Sequence, residues 1–235
     1  MLDIKDLRQV YNSCYFDQYT DMHVWKEKQD NPNALATVEF LFRGGTISYI
    51  SSRLLREMQD AYRSDATATL NMRRICDGIL LLDREDQHYL AILEVKSGFG
   101  DVKNKAISQI PASYVKVKSL LNDFTSYRQE DYREFGLIVS YPYQPKAKTD
   151  ASQNSIVMDN KRIMVQDKYE IVMSKYNKAL LETRSAEFLG TDFEFDKFGN
   201  MQPCLFFDKL QVRHYPVADK CVNATVDLDA IIQTL

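Results

Sequence analysis

The sequence predicts an α/β fold, in which helices cover both faces of a central sheet. Two apolar runs, at residues 75–82 and 89–96, are hydrophobic at nearly every position, which is typical of strands buried on both faces. Apolar residues at helical spacing precede these runs at residues 47–63 and follow them at residues 101–124. We therefore expect a sheet flanked by helices.

The first half of the chain gives the element order helix, three strands, helix, strand. In the helix predicted at residues 47–63, Ser51 or Ser52 could cap the regular part. An extended segment near residues 67–72 comes next, followed by the strands at residues 75–82 and 89–96, which a polar tip joins into a hairpin.

The second predicted helix, at residues 101–124, contains Pro111, which indicates a kink or two helices placed end to end. The apolar run at residues 135–142 then supplies a fourth strand. Together these elements predict a core at residues 1–145, which includes an N-terminal helical segment.

The pattern changes beyond residue 145. A helix is indicated at residues 168–184, with short strands near residues 192–195 and 205–207. We expect residues 146–235 to form a C-terminal α+β appendage of unknown role.

Composition limits the classes of partner. The 235 residues include 30 Lys and Arg against 33 Asp and Glu, which gives a net charge of -3. No overall positive field would attract a nucleic acid, so any polyanion must meet a local basic patch. The sequence has no apolar run long enough to span a membrane and its first residues do not resemble a signal peptide, so we expect a cytoplasmic protein with no membrane partner.

The hairpin carries ionisable residues that buried strands normally exclude. If it is symmetric, Leu82 lies opposite Tyr89 and Asp77 lies opposite Glu94, with Cβ atoms about 5 Å apart. Lys96 is two residues beyond Glu94 and shares its face of the strand. Opposed carboxylates repel each other unless a cation lies between them, and Mg²⁺ prefers oxygen ligands. This pattern predicts a Mg²⁺ or Mn²⁺ site with an ammonium group beside it.

Asp77, followed after sixteen residues by Glu94, Val95 and Lys96, resembles the signature of the PD-(D/E)XK nuclease superfamily. The resemblance covers about residues 47–142. It implies a restriction-endonuclease-like core, with a mixed sheet flanked by helices, that hydrolyses phosphodiester bonds. It also implies that Asp77 and Glu94 hold the metal, with Val95 among the metal-binding positions, and that Lys96 assists the attacking water.

The sequence departs from this family's pattern in three places. Cys76 occupies the position of the Pro that names the motif. The helical carboxylate that often accompanies the motif could be Glu57 or Glu39, and we prefer Glu57 because its predicted helix leads directly into the strands. Gln109 precedes Tyr114 by five residues, whereas the recombination-exonuclease branch has a Gln and Tyr four apart; Gln109 remains a catalytic candidate.

Basic residues follow the motif along the second predicted helix. Lys103 and Lys105 are predicted to contact phosphates, and Lys105 lies one helical turn from Gln109. Lys116 and Lys118 extend the same segment. The ordinary alternative is that these lysines form a solvated helix face.

The resemblance favours a Mg²⁺-dependent deoxyribonuclease that acts on DNA more than on RNA, alone, as a homodimer or within a larger defence or repair complex. One alternative is a catalytically degenerate member of the fold that binds nucleic acid or protein as a subunit. Another interprets the charged residues of the hairpin as a structural ion-pair cluster.

Overall fold

The computed structural model describes residues 2–26, 35–59, 71–96, 106–142, 160–195, 201–219 and 221–235. Within them, eight strands form one sheet: β1 (Phe16–Lys26), β2 (Thr37–Ser51), β3 (Gly78–Arg84), β4 (Gln87–Lys96), β5 (Tyr132–Ser140), β6 (Ser185–Leu189), β7 (Lys209–Pro216) and β8 (Asn223–Asp227). The helices are α1 (Ile4–Val10), α2 (Ser52–Gln59), α3 (Ala106–Leu121), α4 (Asn160–Thr183) and α5 (Leu228–Ile232).

The sheet is mixed and mostly antiparallel. Its strand order is β1-β2-β3-β4-β5-β7-β6, and β8 pairs with β2 outside this path. The pairings of β4 with β5, β5 with β7 and β2 with β8 are parallel, and the others are antiparallel. This architecture confirms the predicted α/β class, with helices flanking a mixed sheet.

Strands β3 and β4 lie in the middle of the sheet and are buried on both faces. Ile79 and Ile92 belong to an apolar cluster with α1, α2, α3 and α4, whereas Leu80 and Leu93 belong to a second cluster on the other face, which includes α5. Because apolar contacts are available on both sides, these strands need no polar face. The two continuous apolar runs in the sequence are explained by this placement.

The predicted hairpin register is confirmed. Leu82 pairs with Tyr89 and Gly78 pairs with Leu93, and the turn between the strands contains Glu85 with a positive φ of 52°. A Cβ atom at Gly78 would lie 2.3 Å from the ring of Tyr49, so Tyr49 leaves no space for a side chain there. This close packing places the Tyr49 ring directly beside Asp77.

The helix predicted at residues 47–63 is wrong in its first part. Ile47 and Ile50 lie in β2, which pairs with β1 on one side and with β3 on the other, and α2 begins only at Ser52. Backbone pairing to two neighbours outweighs the helical spacing of these side chains. The extended segment near residues 67–72 falls mostly outside the described residues.

The two later predicted helices agree better with the observed ones. The helix predicted at residues 101–124 appears as α3, a single helix with Pro111 inside it, although residues 101–105 lie outside the description. The predicted helix at residues 168–184 falls almost entirely within α4. In the part of the chain that the structure describes, no helix is both long and apolar enough to cross a membrane.

The C-terminal residues do not form a separate layer. The segments predicted as strands at residues 192–195 and 205–207 are not strands. They overlap short 3-10 turns, Gly190–Phe193 and Pro203–Leu205, and the strands lie beside them as β6 and β7. Since β7 pairs with β5 and β8 pairs with β2, residues beyond 146 complete the same sheet. The expected appendage is therefore corrected to an integral part of the sheet.

Candidate metal centre and adjoining cleft

Asp77 lies immediately before β3, where the hairpin ladder ends. Its backbone N–H donates to the carbonyl oxygen of Leu93 (2.9 Å), and its Oδ2 accepts a hydrogen bond from the N–H of Val95 (2.7 Å). The hydroxyl of Tyr49 donates to the backbone oxygen of Asp77 (3.0 Å). These contacts fix the Asp77 carboxylate against the end of β4, next to Glu94.

Glu94 points to the α3 face of the sheet and is completely buried. Its carboxylate forms an ion pair with Lys96. Burial raises the pKa of Glu94 well above its ordinary value and the charge of Asp77 raises it further, whereas Lys96 and the amide of Gln109 lower it. Despite these neighbours, neither oxygen makes a hydrogen bond of good geometry within the described residues.

Lys96 is the last residue of β4, and its side chain is 30% exposed. Its strand pairs with β5 at Ser140, which is completely buried. The ammonium group therefore lies at the boundary between the buried carboxylate of Glu94 and solvent. A group in this position can act on a water molecule that enters the site.

Gln109 on α3 joins the cluster from above the sheet. Its Nε2 donates to the backbone oxygen of Ile75 (2.5 Å). Its Oε1 is buried without a hydrogen-bond partner in the described part of the chain. The amide also lowers the pKa of Glu94. The structure thus brings together five residues that the sequence selects: Asp77, Glu94, Val95, Lys96 and Gln109.

The two candidates for the additional carboxylate lie elsewhere. Glu57 is exposed on α2 and accepts a hydrogen bond from the hydroxyl of Tyr15. Glu39 lies on β2, well before the stretch that pairs with β3, and accepts a hydrogen bond from Thr225 (3.4 Å). Neither side chain lines the cleft that contains Asp77.

The lysines of the second helix divide into two groups. Lys103 and Lys105 lie outside the described residues, so their predicted phosphate contacts stay predictions. Lys116 and Lys118 are completely buried, and Lys116 donates to the backbone oxygen of Arg74 (2.7 Å). Because α3 is buried around nearly its whole circumference, Lys116 and Lys118 neither face a phosphate nor form a solvated helix face.

A polar cleft of about 530 Å³ opens beside Asp77, between the β1–β2 hairpin and α2. Its lining includes three basic side chains, Lys26, Arg53 and Arg56, and one further acidic residue, Asp17. Sequence reasoning missed these residues. The available signal was the spacing of Arg53 and Arg56, which places two cations on one face of a helix.

The oxygen donors at this site come from two carboxylates, those of Asp77 and Glu94. Among the described residues, no group of three or more His, Cys, Asp or Glu side chains is arranged to hold a metal ion. Mg²⁺ differs from zinc in that it usually keeps several waters and takes only one or two protein carboxylates. The pair of Asp77 and Glu94, with buried oxygens on Glu94, fits such a partly hydrated ion.

Comparison with known proteins adds no family assignment. A scan against protein-family models and searches of curated proteins and of solved structures found no match.

Proposed function

We propose that this protein is a metal-dependent nuclease that hydrolyses phosphodiester bonds, with DNA the favoured substrate. The observation that carries the proposal is the convergence of Asp77, Glu94 and Lys96 at the open end of one hairpin. Two carboxylates beside one ammonium group are suited to holding a divalent cation and a water near a phosphate. The resemblance to PD-(D/E)XK nucleases is the reason for preferring DNA.

In this proposal Asp77 and Glu94 hold Mg²⁺ or Mn²⁺. When bound, the metal supplies Lewis-acid polarisation of the phosphate and lowers the pKa of water. The hydrogen bond from Val95 to Asp77 leaves acceptor capacity, because an ionised carboxylate has about four lone-pair sites. Val95 therefore acts by orienting Asp77, and its proposed place among the metal-binding positions would use its backbone.

Lys96 and Gln109 have different roles in this proposal. The Lys96 ammonium group, at the edge of the site, orients the attacking water and stabilises negative charge that develops on the phosphate. Gln109 is anchored to the backbone of Ile75 and restrains the buried carboxyl group of Glu94. We describe it as a positioning residue.

A cleavage panel tests the proposal directly. Linear, circular and single-stranded DNA and RNA should each be incubated with Mg²⁺, Mn²⁺ or EDTA. We expect cutting only with metal, and faster cutting of DNA than of RNA. Purified Asp77→Asn protein is the control for contaminating nucleases and should not cut. Equal cutting in excess EDTA would contradict the proposal.

The second candidate function is that of a binding subunit without catalysis. The observation that favours it is the ion pair between Lys96 and Glu94, which offsets the buried charge without any metal. In that case the cluster is structural, and a divalent cation should leave stability unchanged.

Glu94→Gln separates the two candidates through the pH dependence of stability. Because the pKa of Glu94 is raised in the folded protein above its ordinary value of 4.5, the folded state holds this proton more tightly than the unfolded state does. The stabilisation is complete below about pH 4.5 and is lost as pH rises through the folded-state pKa. Glu94→Gln should abolish this decline in metal-free melts.

Melting with added metal completes the comparison of wild type with Glu94→Gln. At pH 8, Mn²⁺ should raise the melting temperature of wild type and not that of Glu94→Gln, because only binding to the folded state stabilises it. A variant that is strongly destabilised at every pH, beside a wild type indifferent to metal, would support the structural ion pair.

A further inference from the structure

We propose that the cleft beside Asp77 binds the phosphates of a nucleic-acid strand through Lys26, Arg53 and Arg56. This inference rests on the proposed function, since it names where the substrate of that site lies. It also supplies the local basic patch that a chain of net charge -3 needs in order to hold a polyanion.

The three cations reach the cleft from two different elements. Arg53 and Arg56 are exposed on α2 and three residues apart, so they share one face of the helix. Lys26 is the exposed last residue of β1. Because all three line the cleft with Asp77, a nucleic-acid strand held by them passes this one member of the proposed metal pair.

Within the part of the chain that the structure describes, the three cleft cations lack ion-pair partners, in contrast to two arginines elsewhere. Arg43 and Arg84 both form ion pairs with Asp229. Across the described ranges, the side chains of Lys26, Arg53 and Arg56 make neither an ion pair nor a hydrogen bond. Unpaired cations in a concave site concentrate anions, and each can pair with a phosphate on binding.

Asp17 limits where the strand can lie. It is exposed on β1 opposite Tyr49, and its carboxylate lines the same cleft. A phosphate avoids this carboxylate and approaches the arginines on α2. Removing positive charge from the cleft and removing negative charge from it should therefore change binding in opposite directions.

The test measures binding of fluorescent single-stranded and duplex DNA in EDTA across a series of salt concentrations. Arg53→Ala combined with Arg56→Ala should weaken binding and lower the slope of log affinity against log salt by about 2. Asp17→Asn should tighten binding. Lys178→Ala combined with Lys209→Ala removes two exposed lysines that do not line the cleft, and this charge-matched control should leave the slope unchanged.

The outcomes distinguish this inference from the proposed function. An unchanged slope in the double arginine variant, in a protein that still melts like wild type and still cuts with metal, overturns the inference and leaves the nuclease proposal standing. Binding that depends on the arginines, without cutting under any metal, overturns the nuclease proposal and leaves the binding cleft standing. A wild type that binds no nucleic acid in EDTA overturns the inference, and one that also fails to cut with metal overturns both.

Discussion

Lys96→Ala should reduce metal-dependent cleavage by about 10²–10⁴-fold, the range expected for a group that transfers or orients a proton. An ammonium group has no lone pair and cannot be a metal ligand, so the variant should still bind Mn²⁺. The Lys96 side chain is partly exposed, but its removal leaves the buried Glu94 without its cation, so the pKa of Glu94 should rise further and the melting temperature must be measured beside activity. Cleavage rates and calorimetric titration with Mn²⁺, both at pH 8, measure the two effects separately.

Lys96→Arg distinguishes the two actions open to this residue. Arginine keeps the positive charge and cannot lose its proton in a protein, so it rescues cleavage if Lys96 acts through charge and fails if Lys96 transfers a proton. Asp77→Asn should instead weaken metal binding itself. If Lys96→Ala abolishes Mn²⁺ binding while the melting temperature is unchanged, the assigned role of Lys96 is wrong.

Lys118→Met should lower the free energy of unfolding by about 3–5 kcal/mol, the usual cost of breaking a buried ion pair. Lys118 is completely buried, with its Nζ 2.7 Å from the carboxylate of Glu134 and 2.6 Å from the hydroxyl of Tyr127. Removing it leaves Glu134 with an uncompensated negative charge. For a chain of this size the melting temperature should fall by roughly 6–20 °C.

Two comparisons establish the cause of that loss. Adding Glu134→Gln to Lys118→Met removes both charges and should restore part of the stability. Lys209→Met removes an exposed partner of Glu187 and should cost about 0–1 kcal/mol. If Lys118→Met costs no more than Lys209→Met, the buried pair contributes nothing specific to stability.

The centre of the fold could be predicted from the sequence because its signals are local. A short polar tip and two apolar runs fixed the register of β3 and β4, including Leu82 opposite Tyr89. The same register brought Glu94 and Lys96 to one face and Asp77 to the end of the ladder. Each of these inferences depends on residues close together in the chain.

The missed parts depend on partners far away in the chain. Ile47, Ile50 and Leu54 have helical spacing only because a strand ends and a helix begins between them, at Ser51 and Ser52. In β7 the buried residues alternate, yet nothing local indicates that this strand lies beside β5. The cleft cations were missed for the same reason, since Lys26 lines one cleft with Arg53 and Arg56 only in the folded chain.

The pairing of β8 with β2 has a consequence for how the chain folds. Glu39 and Thr225 are hydrogen-bonded across this ladder although 186 residues separate them in sequence. Contacts this distant form late, because the entropy of closing the loop must be overcome before the ladder contributes. Until β8 docks, residues 37–41 of β2 present an open strand edge, which makes partly folded chains prone to self-association.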